Sequence, residues 1–223
     1  MTHIVKNRAV LQIMETKSMN KAILPEKQQN SVNLQKLASQ AITDGIKAVT
    51  QLKEPHGLSF IENASLMLAD CFRLGNKVLI AGNGGSLCDS CHFAEELTGF
   101  FRKPRPALPA IALSEASHIT CTANDLGFEW IFSRCVEAYG KPGDIFVGLT
   151  TSGNSPNIIR AIESAKLRDM KTILFLGKGG GKLKSVADLE LVIDGFATSD
   201  RIQEAHMTAI HIIIELIEHR LFS

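Results

Sequence analysis

Between residues 78 and 193, five short apolar runs alternate with stretches of helical periodicity, and this rhythm limits the fold more than any other feature of the chain. The runs are Val78 to Ala81, Ala110 to Leu113, Ile145 to Leu149, Thr172 to Leu176 and Leu189 to Ile193. Most are dense in Val, Ile and Leu, as expected of strands buried on both faces. Strands that alternate with helices imply a parallel sheet wrapped by those helices. The expected class is α/β: a five-stranded parallel sheet flanked by helices, flavodoxin-like, with N-terminal helices before it and a long C-terminal helix after it. Ligands of such sheets bind at the carboxyl ends of the strands.

Ahead of the first strand, Leu34, Leu37, Ala41, Ile42, Ile46, Val49 and Leu52 fall at helical spacing, predicting a helix over about 31–52. A second helical pattern runs from about Leu58 to Leu74, with Gly75 as its stop signal. Residues 1–30 are polar, and Pro25 to Asn30 reads as a linker. The expected organisation is a polar N-terminal arm over 1–30, either flexible or shortened if Met19 is the true start, and one domain over 31–223. The segment from about Asp200 to Phe222 reads as one long helix. Its isoleucines predict burial against the domain or a neighbouring subunit.

Charge excludes some roles. Lys plus Arg is 24 and Asp plus Glu is 23, so no basic excess draws the chain to nucleic acid or to an anionic membrane. The most apolar stretch is interrupted by His211, Glu215 and Glu218, so no membrane span is expected. The N-terminal sequence lacks the apolar core of a secretory signal, so a cytoplasmic location is expected. The five cysteines (Cys71, Cys88, Cys91, Cys121 and Cys135) then read as free thiols.

Two strand-to-helix turns carry chemistry. Gly82-Asn83-Gly84-Gly85-Ser86 follows the first strand, and its glycines let backbone approach a ligand ahead of a helix N-terminus. The dinucleotide pattern fails, because Leu87 stands where its third glycine belongs. Thr150-Thr151-Ser152-Gly153-Asn154-Ser155-Pro156 follows the third strand. Ser155 suits an N-cap and Pro156 the first helical position. Simple capping needs only Ser155 and leaves Thr150, Thr151 and Ser152 unexplained, whereas a phosphate cradle of hydroxyls and free N–H groups uses them all. A third glycine-rich stretch, Gly177 to Lys182, fails the P-loop pattern at Leu176 and Leu183 and reads as a strand-end loop.

His92 and Glu96 stand four apart on the helix after the first turn, on one face. Such a pair can share a zinc ion, serve as acid and base, or simply be solvated. Cys88-x-x-Cys91-His92 matches covalent haem attachment in form, but that chemistry needs export and no export signal is present. On the final helix, Gln203 and His211 are eight residues apart, roughly 12 Å along the axis and about 80° around it. For both to reach one ion, the helix bends, the side chains reach toward each other, or an oligomer supplies one of them.

These residues carry a resemblance. GNGGS at 82–86, HFAEELTG at 92–99, AND at 123–125, TSGNS at 151–155 and DRIQEAH at 200–206, with His211 beyond, resemble the bacterial phosphoheptose isomerases of the sugar isomerase (SIS) fold. TSGNS is shared with many phosphosugar-binding SIS domains, whereas HFAEELTG with RIQE and His211 is much more specific. The resemblance implies a single SIS domain that converts sedoheptulose 7-phosphate to D-glycero-D-manno-heptose 7-phosphate through an enediol. This is the first step toward ADP- or GDP-heptose for lipopolysaccharide core or capsule. It implies one zinc per subunit on His92, Glu96, Gln203 and His211. It implies sugar and phosphate contacts from Asn83, Gly84, Gly85, Glu96, Asn124, Asp125, Thr150, Thr151, Ser152, Ser155 and Gln203. It also implies a homotetramer with active sites at subunit interfaces. Glu96 is assigned as the base at carbon and His211 as the group that moves protons on oxygen. The residues depart from the family pattern at Phe100, where relatives often carry Arg, at Thr150 for a usual Ser, and at Leu176 and Gly179.

Three other readings compete. A non-catalytic SIS protein that binds the bacterial replication initiator would lack the acidic residue and the last His, both of which this chain keeps as Glu96 and His211. An SIS enzyme acting on an amino-sugar phosphate would share the TSGNS cradle without the zinc set. A sugar-phosphate sensor would bind and not turn over. The isomerase reading predicts that His92 and Glu96 face a pocket bordered by Ser152 and Ser155.

Overall fold

The computed structural model describes residues 33–223. The chain divides into two units, 1–41 and 42–223. The arm expected over 1–30 lies outside the described residues, and the first unit is described only at the start of helix α1 (Leu34–Thr50). There the Asn33 side chain accepts a hydrogen bond from the Lys36 N–H at 3.0 Å, capping the first turn. A short 3₁₀ turn leads to α2 (Pro55–Arg73), which opens on Pro55 at the first helical position. Gly75, at φ +76°, ends it as anticipated.

The α/β pattern follows in order: β1 (Val78–Gly82), α3 (Gly85–Thr98), β2 (Ala110–Ala112), α4 (Ala116–Asp125), α5 (Ile131–Tyr139), β3 (Ile145–Thr150), α6 (Pro156–Lys166), β4 (Lys171–Gly177), β5 (Leu189–Ile193) and α7 (Ser199–Phe222). The five strands form one parallel sheet in the order β2-β1-β3-β4-β5. This is the flavodoxin-like order, with its switch point between β1 and β3. The direction in which successive strands are added reverses there, so the loops after β1 and β3 diverge and leave a crevice between them.

Alternation along the strands builds two cores. Val78, Ile80, Ile145, Val147, Leu149, Ile173 and Phe175 face one layer, where they pack with Phe60 and Leu68 of α2, Phe93 and Leu97 of α3, and Ile210, Ile213 and Ile217 of α7. Leu79, Ala81, Phe146, Leu174 and Leu176 face the other, against Phe132 and Val136 of α5 and Ile158 and Ile162 of α6. That period of two explains why these strands read as unbroken apolar runs: neither face meets water. At the amino ends of β1 and β3, Asp144 is buried and pairs with the Lys77 ammonium. It also accepts the N–H groups of Lys77 at 3.0 Å and Lys141 at 2.9 Å. This polar anchor lies at the end of the sheet opposite the crevice.

Among the described residues, no helix is long and apolar enough to cross a membrane. The apolar stripe that predicts α1 is only partly used: Ala48 is buried, whereas Ile42 and Ile46 stay more than 60% exposed in the single chain.

Candidate active site

The first wall of the crevice is the β1–α3 turn. Gly85 opens α3, and a Cβ there would lie 2.6 Å from the Gln203 amide nitrogen, so a glycine lets α7 bring that side chain onto the turn. The Gln203 amide then donates to the Ser86 hydroxyl at 3.2 Å. Asn83 is held by a partner that sequence reading missed. Its side-chain amide exchanges two hydrogen bonds, at 3.0 and 2.9 Å, with Asn157, buried on the first turn of α6. Asn83 therefore ties the β1 turn to the helix after β3.

The second wall is the β3–α6 turn. Ser155 occupies the N-cap position of α6, yet its hydroxyl makes no capping bond. It meets the Thr150 hydroxyl at 3.0 Å instead, and the Ser152 hydroxyl lies 3.5 Å from the same Thr150 oxygen. Thr151 pairs with Ser199 at 2.9 Å, at the start of α7. Capping alone therefore does not account for the hydroxyls. The turn takes its shape from the glycine-rich loop after β4. Gly153 has φ +63°, and a Cβ there would lie 1.8 Å from the Gly180 carbonyl oxygen. The Leu183 N–H donates to the Gly153 carbonyl and the Lys182 N–H to the Asn154 side chain, both at 3.1 Å. The loop that fails the P-loop pattern is thus a brace behind the hydroxyl turn.

Between these walls lies a cleft of about 360 Å³, lined by Asn83, Gly85, Ser86, Leu149, Thr150, Thr151, Ser152, Ser155, Ser199 and Gln203. It is within the size range of small-molecule sites. Among the described residues no cationic side chain lines it, so an anion there would be held by hydroxyls, helix N–H groups and the positive ends of α3 and α6. Gly84 lies in the turn itself, at φ +55°.

The second constellation lies along α3 and α7. His92 Nε2 and His211 Nε2 are 2.9 Å apart, and His92 Nε2 is 3.6 Å from a Glu96 carboxylate oxygen. One donor atom from each of His92, Glu96 and His211 falls within 4.8 Å of the others. Glu95 holds the far nitrogen of His92, Nδ1, at 3.0 Å. Phe101 stacks on the His211 ring at 5.6 Å. Burial holds His211 below the usual imidazole range; neighbouring His92 pushes the same way, and Glu96 opposes. A neutral imidazole accepts a proton or a metal. Two imidazoles and a carboxylate converging this closely are a donor set that fits zinc.

The sequence-predicted residues thus fall into two groups and a remainder. The cradle residues meet at the crevice, while His92, Glu96 and His211 meet on the α3–α7 faces and do not line that cleft. Gln203 belongs to the cleft, eight residues before His211 on the unbroken helix α7. Asn124 and Asp125 join neither group. They sit on the exposed last turn of α4, where the Asn124 amide donates to Asp125 at 2.7 Å. All five cysteines are free, Cys88 exposed and Cys91 partly buried on α3.

Other groups at the site went unread. Asp89, one turn before His92, keeps one carboxylate oxygen buried without a partner among the described residues. Burial pushes this carboxyl up to about 6 against the opposing influence of His92. Its spacing from His92 is a helical i, i+3 signal that the sequence offers. Ser86, Ser199 and Asn157 carry no such signal.

Comparisons with known proteins bear on the family and the fold. The model of the SIS domain family matches residues 41–177. A phosphoheptose isomerase from Fusobacterium nucleatum is 59% identical over 161 residues, which are 72% of this chain and 82% of that protein. Among solved structures, the phosphoheptose isomerase GmhA from Neisseria gonorrhoeae superposes with a TM-score of 0.77 at 34% identity, covering 84% of this chain and all of that one. A phosphoheptose isomerase from Francisella tularensis gives a TM-score of 0.78 at 34% identity, covering 84% of this chain and 99% of that one.

Proposed function

The chain belongs to the SIS-domain family, among its phosphoheptose isomerases, and from that membership we propose that it interconverts sedoheptulose 7-phosphate and D-glycero-D-manno-heptose 7-phosphate. The observation that carries the substrate is the separation of the two constellations on α3. Ser86 at the hydroxyl cleft and His92 in the trio are six residues apart, about 9 Å along a helix. That separation suits a sugar whose phosphate and reacting carbonyl lie at opposite ends of a seven-carbon chain.

In this reading the hydroxyls of Thr150, Thr151, Ser152 and Ser155 and the first N–H groups of α3 and α6 bind the phosphate. Glu96 removes a proton from C1 of the ketose and returns it at C2. His211 gives a proton to O2 as the enediol forms and takes one from O1 as it collapses to the aldose, so the count of protons on carbon and on oxygen closes, and exchange at Glu96 would admit solvent hydrogen at C2. His92, Glu96 and His211 would hold zinc, with Gln203 as a fourth and chemically unusual ligand. When bound, the ion would polarise the carbonyl oxygen and stabilise negative charge on the enediolate. A carboxylate engaged by a metal is a weaker base, so ligation and proton removal by Glu96 would alternate.

We further propose a homotetramer. Ile42, Ile46, Leu58 and Leu216 line an exposed, mostly apolar groove that reaches His211, a surface of the kind that marks contact with another protein chain. Asn124 and Asp125, away from this chain's own cleft, would then serve a neighbouring subunit's site. The setting would be cytoplasmic synthesis of activated heptose for surface polysaccharide.

The test is turnover in D₂O. Protein with and without zinc is given sedoheptulose 7-phosphate, and NMR follows the aldose and deuterium at its C2. Aldose formation by the wild type that is lost in Glu96→Gln and His211→Gln supports the assignment. Absence of product from zinc-loaded protein refutes it.

A further inference from the structure

Arg105 is the most completely enclosed cation near the site. Its side chain is 2% exposed and pairs with Glu218 on α7 at 2.8 Å. The same guanidinium donates to the carbonyls of Glu96 at 2.8 Å and Leu97 at 2.7 Å, on the last turn of α3. It also reaches the carbonyls of Gly99 at 3.0 Å and Pro106 at 3.1 Å. The carbonyls of Glu96, Leu97 and Gly99 lie at the C-terminal end of α3, and a cation there meets the negative end of the helix dipole.

Glu218 completes the arrangement from the other side. Its carboxylate accepts the N–H of Phe101 at 3.1 Å and of Arg102 at 3.3 Å. Those bonds fix the backbone at Phe101, whose ring lies on the His211 imidazole at an interplanar angle of 23°. One buried pair therefore holds three things together: the end of α3 that carries His92 and Glu96, the loop that carries Phe101, and the face of α7 that carries His211.

We propose that Arg105 and Glu218 are positioning residues for the isomerase site, setting the separation of Glu96 and His211 and, through Phe101, the orientation of the His211 ring. Neither residue touches the reacting atoms; each acts through the groups it holds. Only a planar guanidinium spans four carbonyls and a carboxylate at once, so lysine cannot replace it. The proposal rests on the isomerase reading for its kinetic consequence, but its metal-binding consequence needs no substrate.

The experiment uses the full chain and four variants: Arg105→Lys, Glu218→Gln, Phe101→Leu and, as a remote control, Asp144→Asn. Asp144 is an equally buried ion-pair member at the opposite end of the sheet. Zinc affinity is measured by competition with a chromogenic chelator, melting temperature by circular dichroism, and kcat and KM with sedoheptulose 7-phosphate. For Arg105→Lys and Glu218→Gln, zinc Kd is expected to rise and kcat to fall about 10- to 100-fold. KM should stay within about twofold, because the phosphate cradle is untouched. Asp144→Asn should lower the melting temperature and leave zinc Kd and kcat within about twofold of wild type. If the clamp variants keep both values while melting lower, or if Asp144→Asn loses both to the same degree, the pair is only structural and the proposal fails. Should the clamp variants not fold, Phe101→Leu decides: a raised zinc Kd supports the proposal and an unchanged one overturns it. A wild type that binds zinc without turnover would sink the isomerase reading and still leave the chelator series to judge the clamp.

Discussion

The Nε2 atoms of His92 and His211 face each other across 2.9 Å although 119 residues separate them in the chain. Two imidazoles meet this closely only when at least one is neutral, since two adjacent imidazolium groups repel. At least one ring of the pair is thus neutral and able to accept a metal or a proton beside Glu96.

Loss of either acid–base group should separate chemistry from binding. Glu96→Gln and His211→Gln are expected to lower kcat by about 10² to 10⁴. Direct calorimetric titration with a phosphosugar should still give binding through the hydroxyl cradle. A variant that loses binding and retains kcat would reverse the assigned roles.

The cradle should show the opposite split. Ser155→Ala removes a hydroxyl that is not spent on capping α6. Its expected effect is a KM raised about tenfold with kcat nearly unchanged, the worth of one charge-assisted hydrogen bond. Gly153→Ala forces a side chain into a left-handed backbone and against the Gly180 carbonyl. It should cost at least about 2 kcal/mol of stability, read from urea unfolding.

His206 should govern stability below neutral pH. It is wholly buried, its Nε2–H donates to the Leu176 carbonyl at 2.9 Å, and its Nδ1 has no partner among the described residues. Burial pushes this ring down to about 4, with the bond to Leu176 opposing only in part. The unfolded chain holds its proton up to the ordinary value near 6.5. Between those values the unfolded state binds the extra proton. His206 therefore contributes its full stability above about pH 6.5, and the contribution is lost as pH falls toward 4. Urea unfolding at fixed protein concentration should show a slope of at most about 1.4 kcal/mol per pH unit from this group. A flat profile that matches His206→Gln would refute it.

Assembly should depend on the exposed face of α1. Ile46 is 63% exposed in the single chain and lines the apolar groove. Ile46→Asp places a charge where a neighbouring subunit is proposed to pack, and light scattering should report dissociation to smaller species. Secondary structure by circular dichroism should be retained, and isomerase activity should fall with the mass. An unchanged mass would move the interface elsewhere.

Much of this architecture is legible in the residues. β1, β3 and β4 are read correctly because both faces are buried, so apolar density marks them without any need for alternation. β2 is shorter than its apolar run, because it is an edge strand with Ile111 partly exposed. His92 and Glu96 are visible as a pair from helical spacing alone. His211 is not, because an isolated histidine in an apolar run carries no mark of a partner on another helix. Ser86, Asn157, Ser199 and Arg105 escape for the same reason: each has a role only once the topology has brought two distant segments together. Asn124 and Asp125 show the converse, a motif read from family resemblance whose place within one chain is an exposed helix end.

Helix α7 carries Gln203 at the hydroxyl cleft, His211 in the trio and Glu218 in the clamp, all on one unbroken run from Ser199 to Phe222. A rod of this kind transmits displacement rather than absorbing it. Any tilt of α7 that opens one end of the site would shift the groups at the other, so the proposed phosphate grip and proton transfer would be geared to a single lever.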